Sequence, residues 1–149
     1  MVTMQFTVVE RLNKETEELI AVAEPSFLQE KLSYVAEHQQ EYIYVESPQF
    51  EALKMDAVVL EFDEAFEVPM ALFGLRYQKK VSANLKQFLK DNLEKGLVSG
   101  AMFSGNEGIW EINISLNAMK NYDEAQTIEQ TLEKLVAFVA EMVQAIEAK

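Results

Sequence analysis

The chain has 149 residues, of which 49% are hydrophobic and 26% charged, and its formal net charge at pH 7 is −12. This composition is typical of one folded domain spanning residues 1–149 and excludes a disordered chain. The sequence contains no cysteine. Disulfide scaffolds, thiolate nucleophiles and cysteine-based zinc or iron–sulfur sites are therefore excluded.

The acidity also bears on partners and location. The sequence has only two arginines, Arg11 and Arg76. Because binding to a phosphate backbone depends on Lys and Arg, we expect no nucleic-acid partner. The first residues lack a basic segment followed by an apolar stretch, and no apolar run approaches the roughly 18 residues of a membrane span. We therefore expect a cytoplasmic protein that does not bind a membrane.

The first 24 residues fit two descriptions. Hydrophobic and polar residues alternate over residues 4–8, as in a strand. Residues 19–23 form either a second strand after a turn or a helix interrupted near Pro25. The pattern favours a strand followed by a helix.

Two internal segments have helical periodicity. Residues 26–36 begin with Ser26 and Gln29, which together are typical of a capping box. Residues 81–95 carry apolar residues at steps of three and four, and Gly96 follows them as a C′ glycine would. The sequence therefore predicts a helix in each segment.

The C-terminal segment has the clearest helical pattern. Asp123 is predicted to be its N-cap, with Gln126 three residues later. The segment predicts an amphipathic helix of about 24 residues with one apolar stripe. That stripe contains Ile128, Leu132, Leu135, Val136, Val139, Val143 and Ile146.

Between the helices, short β-branched and aromatic runs predict five strands. The last two are joined by a turn at residues 105–108, which indicates a hairpin. In the second strand of that hairpin, apolar residues from Trp110 to Leu116 alternate with polar ones, so one face should be buried and the other solvated. The five runs are residues 42–45, 58–62, 68–77, 97–104 and 109–116.

From about residue 14 onward, the order of elements is helix, three strands, helix, two strands and a long helix. This order predicts an α+β fold, in which about three helices pack on a mostly antiparallel sheet of about five to six strands. It resembles the type III secretion chaperone-like fold, a family of small, acidic, non-enzymatic proteins. The resemblance covers residues 14–147 and implies a dimer that holds a partner polypeptide in extended form without nucleotide or metal. Residues 4–11 depart from the family pattern.

The sequence offers little catalytic chemistry. His38 is the only histidine, so a two-histidine zinc site cannot be assembled and a triad with an imidazole base would have only this residue available as its base. Its position after the helix at residues 26–36 favours a capping or solvated role at the negative end of the helix dipole. The sequence contains neither of the phosphate-binding glycine motifs G-x-x-x-x-G-K-[ST] and G-x-G-x-x-G. It also lacks the G-x-S-x-G pattern that places a nucleophilic serine in hydrolases. We predict no catalytic, cofactor-binding or metal-binding residue.

An acidic stretch supports a metal hypothesis as the alternative. Glu61 and Asp63 share one strand face, with Glu64 and Glu67 nearby, and hard cations prefer oxygen ligands. The spacing does not match a calcium-binding EF-hand loop. A solvated strand face leading into an acidic turn is the favoured interpretation.

Two apolar features allow either core packing or association. Residues 70–75 are apolar on both faces, so this strand is either central and covered twice or part of an exposed hydrophobic surface. Val81, Leu85, Phe88 and Leu89 lie on one side of a predicted helix. They either pack on the sheet or mediate self-association.

Charge is unevenly distributed along the chain. Residues 76–95 sum to +4, whereas residues 1–75 sum to −11 and residues 96–149 to −5. A solvated helix face is the simpler interpretation. The alternative is electrostatic docking of Lys86 and Lys90 on an acidic surface, such as that of a second copy of the chain.

Together these features predict a non-enzymatic protein-binding protein, chaperone- or adaptor-like and homodimeric, which binds another polypeptide and needs no cofactor. One alternative is a carboxylate-based metal-binding protein or enzyme. Another is an acidic inhibitor or nucleic-acid mimic that binds a basic partner. The candidate association surface consists of Val81, Leu85, Lys86, Phe88, Leu89 and Lys90.

Overall fold

The structure is a computed structural model that describes residues 5–93 and 99–147. The chain begins with an antiparallel hairpin of β1 (Val8–Asn13) and β2 (Leu19–Val22). The helix favoured for residues 19–23 is therefore wrong. Pairing with β1 decides the conformation, because an apolar run this short has no strong preference of its own. The strand predicted at residues 4–8 starts only at Val8 within the described residues.

The predicted helix at residues 26–36 is also wrong as a continuous element. A 3-10 helix spans Pro25–Gln29, and α1 (Tyr34–Glu37) follows after a break. In the break, the Leu32 amide donates to the carbonyl of Gln126 at 3.0 Å and the Ile128 amide donates to the carbonyl of Glu30 at 2.8 Å. These long-range hydrogen bonds hold the backbone in an extended conformation at a position where the local sequence favours a helix. The 3-10 helix has no side-chain cap, so the predicted Ser26 capping box does not form.

Of the three central strands, the first two are longer than predicted and the third ends two residues earlier, at Leu75 instead of Tyr77. They are β3 (Glu41–Glu46), β4 (Met55–Asp63) and β5 (Val68–Leu75). A short helix that was not predicted, α2 (Pro48–Ala52), connects β3 to β4. The residues that specify this helix are adjacent in the sequence. Ser47 caps the helix by accepting a hydrogen bond from the Gln49 amide, and Pro48 occupies the first turn.

The next helix, α3 (Ser82–Asn92), is shorter than predicted. Leu93 is extended and forms a β-bridge with Met119, so the helix cannot continue to Lys95. The predicted C′ glycine, Gly96, lies outside the described residues, as do the first two residues of the strand predicted at 97–104.

The predicted hairpin is present. It consists of β6 (Ser99–Ser104) and β7 (Ile109–Ser115), and Gly108 in its turn has a φ of +69°. The predicted alternation holds from Trp110 to Ile114. Ser115 departs from it and is buried.

The C-terminal helix α4 spans Ile128–Glu147. Its N-cap is Thr127 rather than Asp123, because the Thr127 hydroxyl accepts from the Gln130 amide while the Gln130 side chain accepts from the Thr127 amide. This reciprocal pair is a capping box. Asp123 instead stabilises the preceding turn by accepting from the Ala125 amide.

The seven strands form one sheet in the order β2-β1-β3-β4-β5-β7-β6, and every neighbouring pair is antiparallel. With four α-helices among the described residues, the α+β class is confirmed, and the sheet exceeds the predicted five to six strands by including the hairpin of β1 and β2. Within the described residues, no helix is long and apolar enough to cross a membrane.

The two faces of the sheet differ in burial. On one face, a row of paired residues crosses β1, β3, β4, β5 and β7, and each of these residues is at most 5% exposed. This buried row lies in the same core as the apolar stripe of α4. The opposite row is half-buried or exposed. We call the apolar part of this second side, consisting of Leu12, Tyr42, Tyr44, Val59 and Leu72, the open sheet face. The buried row is Val9, Val45, Val58, Phe73 and Ile112, and the opposite row is Val22, Glu10, Tyr44, Val59, Leu72 and Asn113.

Candidate functional site

The apolar side of α3 faces the protein's own core. Leu85 is 0% exposed and Leu89 is 8% exposed. Phe88 packs edge-on against Phe138 of α4, with ring centroids 5.2 Å apart, and Val81 is half-buried at the edge of the core. Packing within the monomer therefore accounts for Leu85 and Leu89, whereas Val81 and Phe88 are half-buried and remain partly accessible together with the two lysines of the candidate association surface.

The other side of α3 and the turn before it is basic. Lys79, Lys80, Lys86 and Lys90, which we call the basic face, are all exposed. None of them takes part in a salt bridge among the described residues. Lys86 Nζ lies 5.9 Å from the centroid of a Trp110 ring. The basic face is thus open to interaction with a negatively charged surface.

Arg76, the remaining described cation of the segment 76–95, is already paired. Its guanidinium donates to Asp56 Oδ1 at 2.6 Å. Both side chains are nearly half-exposed, so this pair contributes little to stability. Because Asp56 neutralises Arg76, the unpaired described cations of this segment are confined to α3 and the preceding turn.

The two-sided apolar strand is β5, and it lies in the centre of the sheet. Ala71, Phe73 and Leu75 are buried in the core. On the other side, Leu72 is half-buried on the open sheet face, and Met70 is 5% exposed beside the Ser115 hydroxyl. The second apolar side of β5 is therefore partly buried, and Leu72 is the side chain of this side that contributes accessible surface.

Tyrosines on β3 give the open sheet face an aromatic character. The Tyr44 hydroxyl donates to Glu46 Oε2 at 2.6 Å. This bond, together with burial, raises the pKa of Tyr44 to about 12. The phenol therefore stays neutral at physiological pH and can contribute apolar contact and a hydrogen bond, but not a nucleophile.

A cleft of about 410 Å³ opens beside Tyr44. Its polar lining includes Glu46 and the ion pair of Asp56 with Arg76, and Tyr44 forms its aromatic side. The cleft combines hydrogen-bonding groups with an aromatic wall. Such a lining is suited to a polypeptide side chain.

His38 belongs to a partly buried polar cluster that joins β1, α1 and β3. Arg11 donates two bonds of 2.9 Å to Glu41, and the Tyr34 hydroxyl donates a third at the same distance. His38 is the C-cap of α1 and stacks on Tyr34 with ring centroids 3.9 Å apart, which agrees with the predicted capping position. Glu41 is only 5% exposed, and its hydrogen bonds with Arg11 hold its pKa below the ordinary value of 4.5. All hydrogen bonds that the Glu41 carboxylate accepts come from residues within the cluster. These contacts indicate that the cluster stabilises the fold.

The acidic stretch also makes structural contacts. Glu61 lies 3.6 Å from Lys14 Nζ, and Asp63 accepts bonds from the backbone amides of Ala65 and Phe66 in the turn after β4. Nowhere in residues 5–93 and 99–147 do three His, Asp or Glu side chains come together as potential metal ligands. These contacts are those of the solvated strand and turn that the sequence favours.

Two parts of this arrangement were not identified from the sequence. The tyrosines of β3 alternate with Ile43 and Val45, and this pattern already separates an aromatic face from an aliphatic one. The partnership of Arg11 with Glu41, 30 residues apart, has no sequence signal because it depends on the pairing of β1 with β3.

Comparisons with protein families, with curated proteins and with solved structures find nothing that matches this chain. A functional conclusion must therefore come from the surfaces described above.

Proposed function

We propose that this chain is a cytoplasmic, non-enzymatic protein-binding protein, chaperone- or adaptor-like, which acts as a homodimer. The observation that carries the proposal is the open sheet face. Its tyrosines and aliphatic side chains lie on the side of the sheet opposite the buried row, and each of them keeps part of its surface accessible. Contiguous apolar surface of this kind is typical of protein-interaction sites.

The arrangement of charge supports a dimer. The helix α3, which carries Lys86 and Lys90 of the basic face, packs beside β6 at one end of the sheet, whereas exposed glutamates flank β2 at the other end. The whole chain carries a charge of −12, so a second copy offers ample acidic surface to these lysines. Complementary charges would steer the encounter of two copies and set their register.

The order of elements gives further support. From α1 to α4, the chain has a helix, three strands, a helix, two strands and a long helix, with the short α2 inserted after the first of these strands. This is the order of the type III secretion chaperone-like fold noted above. The hairpin of β1 and β2 is additional, and a shared order of elements supports function only by analogy.

The dimer is tested by reversing charge on the basic face. We expect Lys86→Glu combined with Lys90→Glu to weaken self-association by about tenfold or more, since close charge pairs across an interface couple strongly. Lys31→Glu combined with Lys120→Glu changes the net charge equally at exposed lysines elsewhere and should leave association unchanged. Sedimentation velocity across a concentration series, at low and high salt, measures the effect.

Partner binding is tested on the open sheet face. Val59→Thr combined with Leu72→Thr replaces apolar with polar surface while placing β-branched residues of high strand propensity at both positions, and should abolish capture of a partner from cell extract. Asn113→Thr, on the same row of the sheet, is the matched control. A wild-type protein that is strictly monomeric and captures no protein would overturn the proposal.

A further inference from the structure

The edge strand β2 exposes an unusual amount of apolar side chain. Leu19 is 52% exposed, Ile20 43% and Val22 70%. The strand contains no charged residue and no proline, and it occupies one outer end of the sheet. Natural proteins normally protect such edges with charges, prolines or a covering element, because an unprotected edge is a template for pairing with another strand.

The backbone of β2 is oriented for such pairing. The Ala23 amide donates to the Val9 carbonyl at 2.8 Å, and Val22 is aligned with Glu10 of β1. Successive residues of a strand direct their backbone groups to opposite sides. The amide and carbonyl of Val22 therefore point away from β1, toward the open edge.

Charge indicates which kind of strand can pair there. Exposed glutamates flank the apolar residues, with Glu17 and Glu18 on one side and Glu24 on the other. The nearby cations are already engaged, since Arg11 pairs with Glu41 and Lys14 with Glu61. The edge is thus an apolar strip between two negative ends.

This pattern disfavours a second copy of the chain at the same edge in the register that aligns the apolar residues of the two strands. Antiparallel pairing of β2 with itself, centred on Ala21, would align Glu18 with Glu24 at both ends of the pair. Like charges directly opposite each other destabilise a strand pair. An incoming strand with Lys or Arg at its ends would instead form favourable pairs at both positions.

We propose that β2 binds an extended segment of another polypeptide as an eighth strand, and that this segment has alternating apolar residues flanked by Lys or Arg. The inference rests on the proposed protein-binding function and names the chemistry of the bound segment. Val22 lies in one row with Tyr44, Val59 and Leu72, so the added strand would extend the open sheet face. Backbone bonds would supply affinity, and alternate side chains specificity.

The test uses a fluorescent synthetic peptide, Val-Thr-Ile-Thr-Val with two lysines at each end, and measures its binding to the full chain by fluorescence anisotropy. We expect saturable binding. A peptide with glutamates in place of the lysines should bind at least about tenfold more weakly, because it opposes the glutamates of the edge. Alternate N-methylation of the lysine peptide, which removes the bonding amides of one edge, should abolish binding.

Protein variants locate the site. Val22→Pro removes an outward-facing amide without removing a bond to β1, and should weaken peptide binding about tenfold, whereas Val22→Thr keeps the amide and should change it less than about threefold. Circular dichroism verifies that each variant is folded. If Val22→Pro does not fold, Glu18→Lys combined with Glu24→Lys serves instead and should reverse the preference toward the glutamate-flanked peptide.

Three results would overturn the inference: no binding of the lysine peptide, unchanged binding of its N-methylated form, or conversion of a dimer to a monomer by Val22→Pro. The last result would assign the edge to a second copy. Loss of peptide binding alone leaves the dimer and the capture of a partner intact, so failure here is distinct from failure of the proposed function.

Discussion

At the scale of single residues, the feature that stands out is the buried carboxylate of Glu41. Its three hydrogen bonds come from Arg11 and Tyr34, and the Arg11 side chain keeps 26% of its surface exposed. A buried charge is tolerated only when it is paired and hydrogen-bonded. The cluster therefore joins the N-terminal hairpin to α1 and β3 at one edge of the core.

Substitution of Glu41 tests this role. Glu41→Ala leaves Arg11 without its partner and should lower the free energy of unfolding by about 2–3 kcal/mol, since Arg11 can still be partly hydrated. Glu41→Gln keeps a carbonyl acceptor and should cost less. Urea denaturation monitored by circular dichroism measures both, and equal stability of wild type and Glu41→Ala would contradict the role.

The same cluster predicts a pH dependence. The folded pKa of Glu41 lies below its ordinary value of 4.5, because the charged form is hydrogen-bonded by Arg11. A group whose pKa is lowered by folding contributes stability above its unfolded pKa and loses it as pH falls through the folded pKa. Between neutral pH and about pH 3, Glu41→Gln should therefore lose less stability than wild type. Parallel pH profiles of the two proteins would contradict this assignment.

At the scale of elements, α4 shows how a helix start is chosen. Both Asp123 and Thr127 have a glutamine three residues later, so the local sequence offers two capping boxes. The backbone around Thr127 is held by its bridge to Lys31 and by the bond from the Ile128 amide to Glu30. These contacts place the first helical turn at Ile128.

Substitution of the cap distinguishes the two sites. Thr127→Ala removes the hydroxyl acceptor of the Gln130 amide and should lower stability by about 1 kcal/mol. Thr127→Ser keeps the hydroxyl and should remain within about 0.5 kcal/mol of wild type. Thermal denaturation compares the stabilities of the variants. A Thr127→Ala variant as stable as wild type would assign the capping role to Asp123 instead.

At the scale of the whole molecule, one core connects the sheet with α1, α3 and α4. Trp110, the single tryptophan, lies within it at 2% exposure and donates its indole N–H to the carbonyl of Gln78 at 3.1 Å. Its ring contacts Phe103 edge-on, so it reports on packing between β6 and β7. A single core of this kind favours cooperative unfolding.

We therefore expect Trp110 fluorescence and far-ultraviolet circular dichroism to give coincident unfolding curves in urea. Trp110 emission should be blue-shifted in the folded state and insensitive to iodide quenching, because the indole is buried. Separate transitions for the two signals would show that the sheet and the helices unfold independently.

The sequence predicted those elements whose information is local. The stripe of α4, the alternation in β7 and the hairpin turn at residues 105–108 each follow from periodicity or turn residues within a few positions. The polar nature of the basic face was likewise evident from the order of lysines along the chain. The division of the chain into acidic and basic segments follows from counting the charged residues along the sequence.

Tertiary structure decided the rest, because the deciding contacts join distant residues. Residues 19–22 became a strand through pairing with β1, and the predicted helix at 26–36 was broken by backbone bonds to Gln126 and Ile128 at the start of α4. Leu85 and Leu89 became core rather than interface because α4 covers them. By itself the sequence determined the periodicity and charge of its segments, and only the folded chain determined which apolar faces are covered, since burial depends on neighbours supplied by distant parts of the chain.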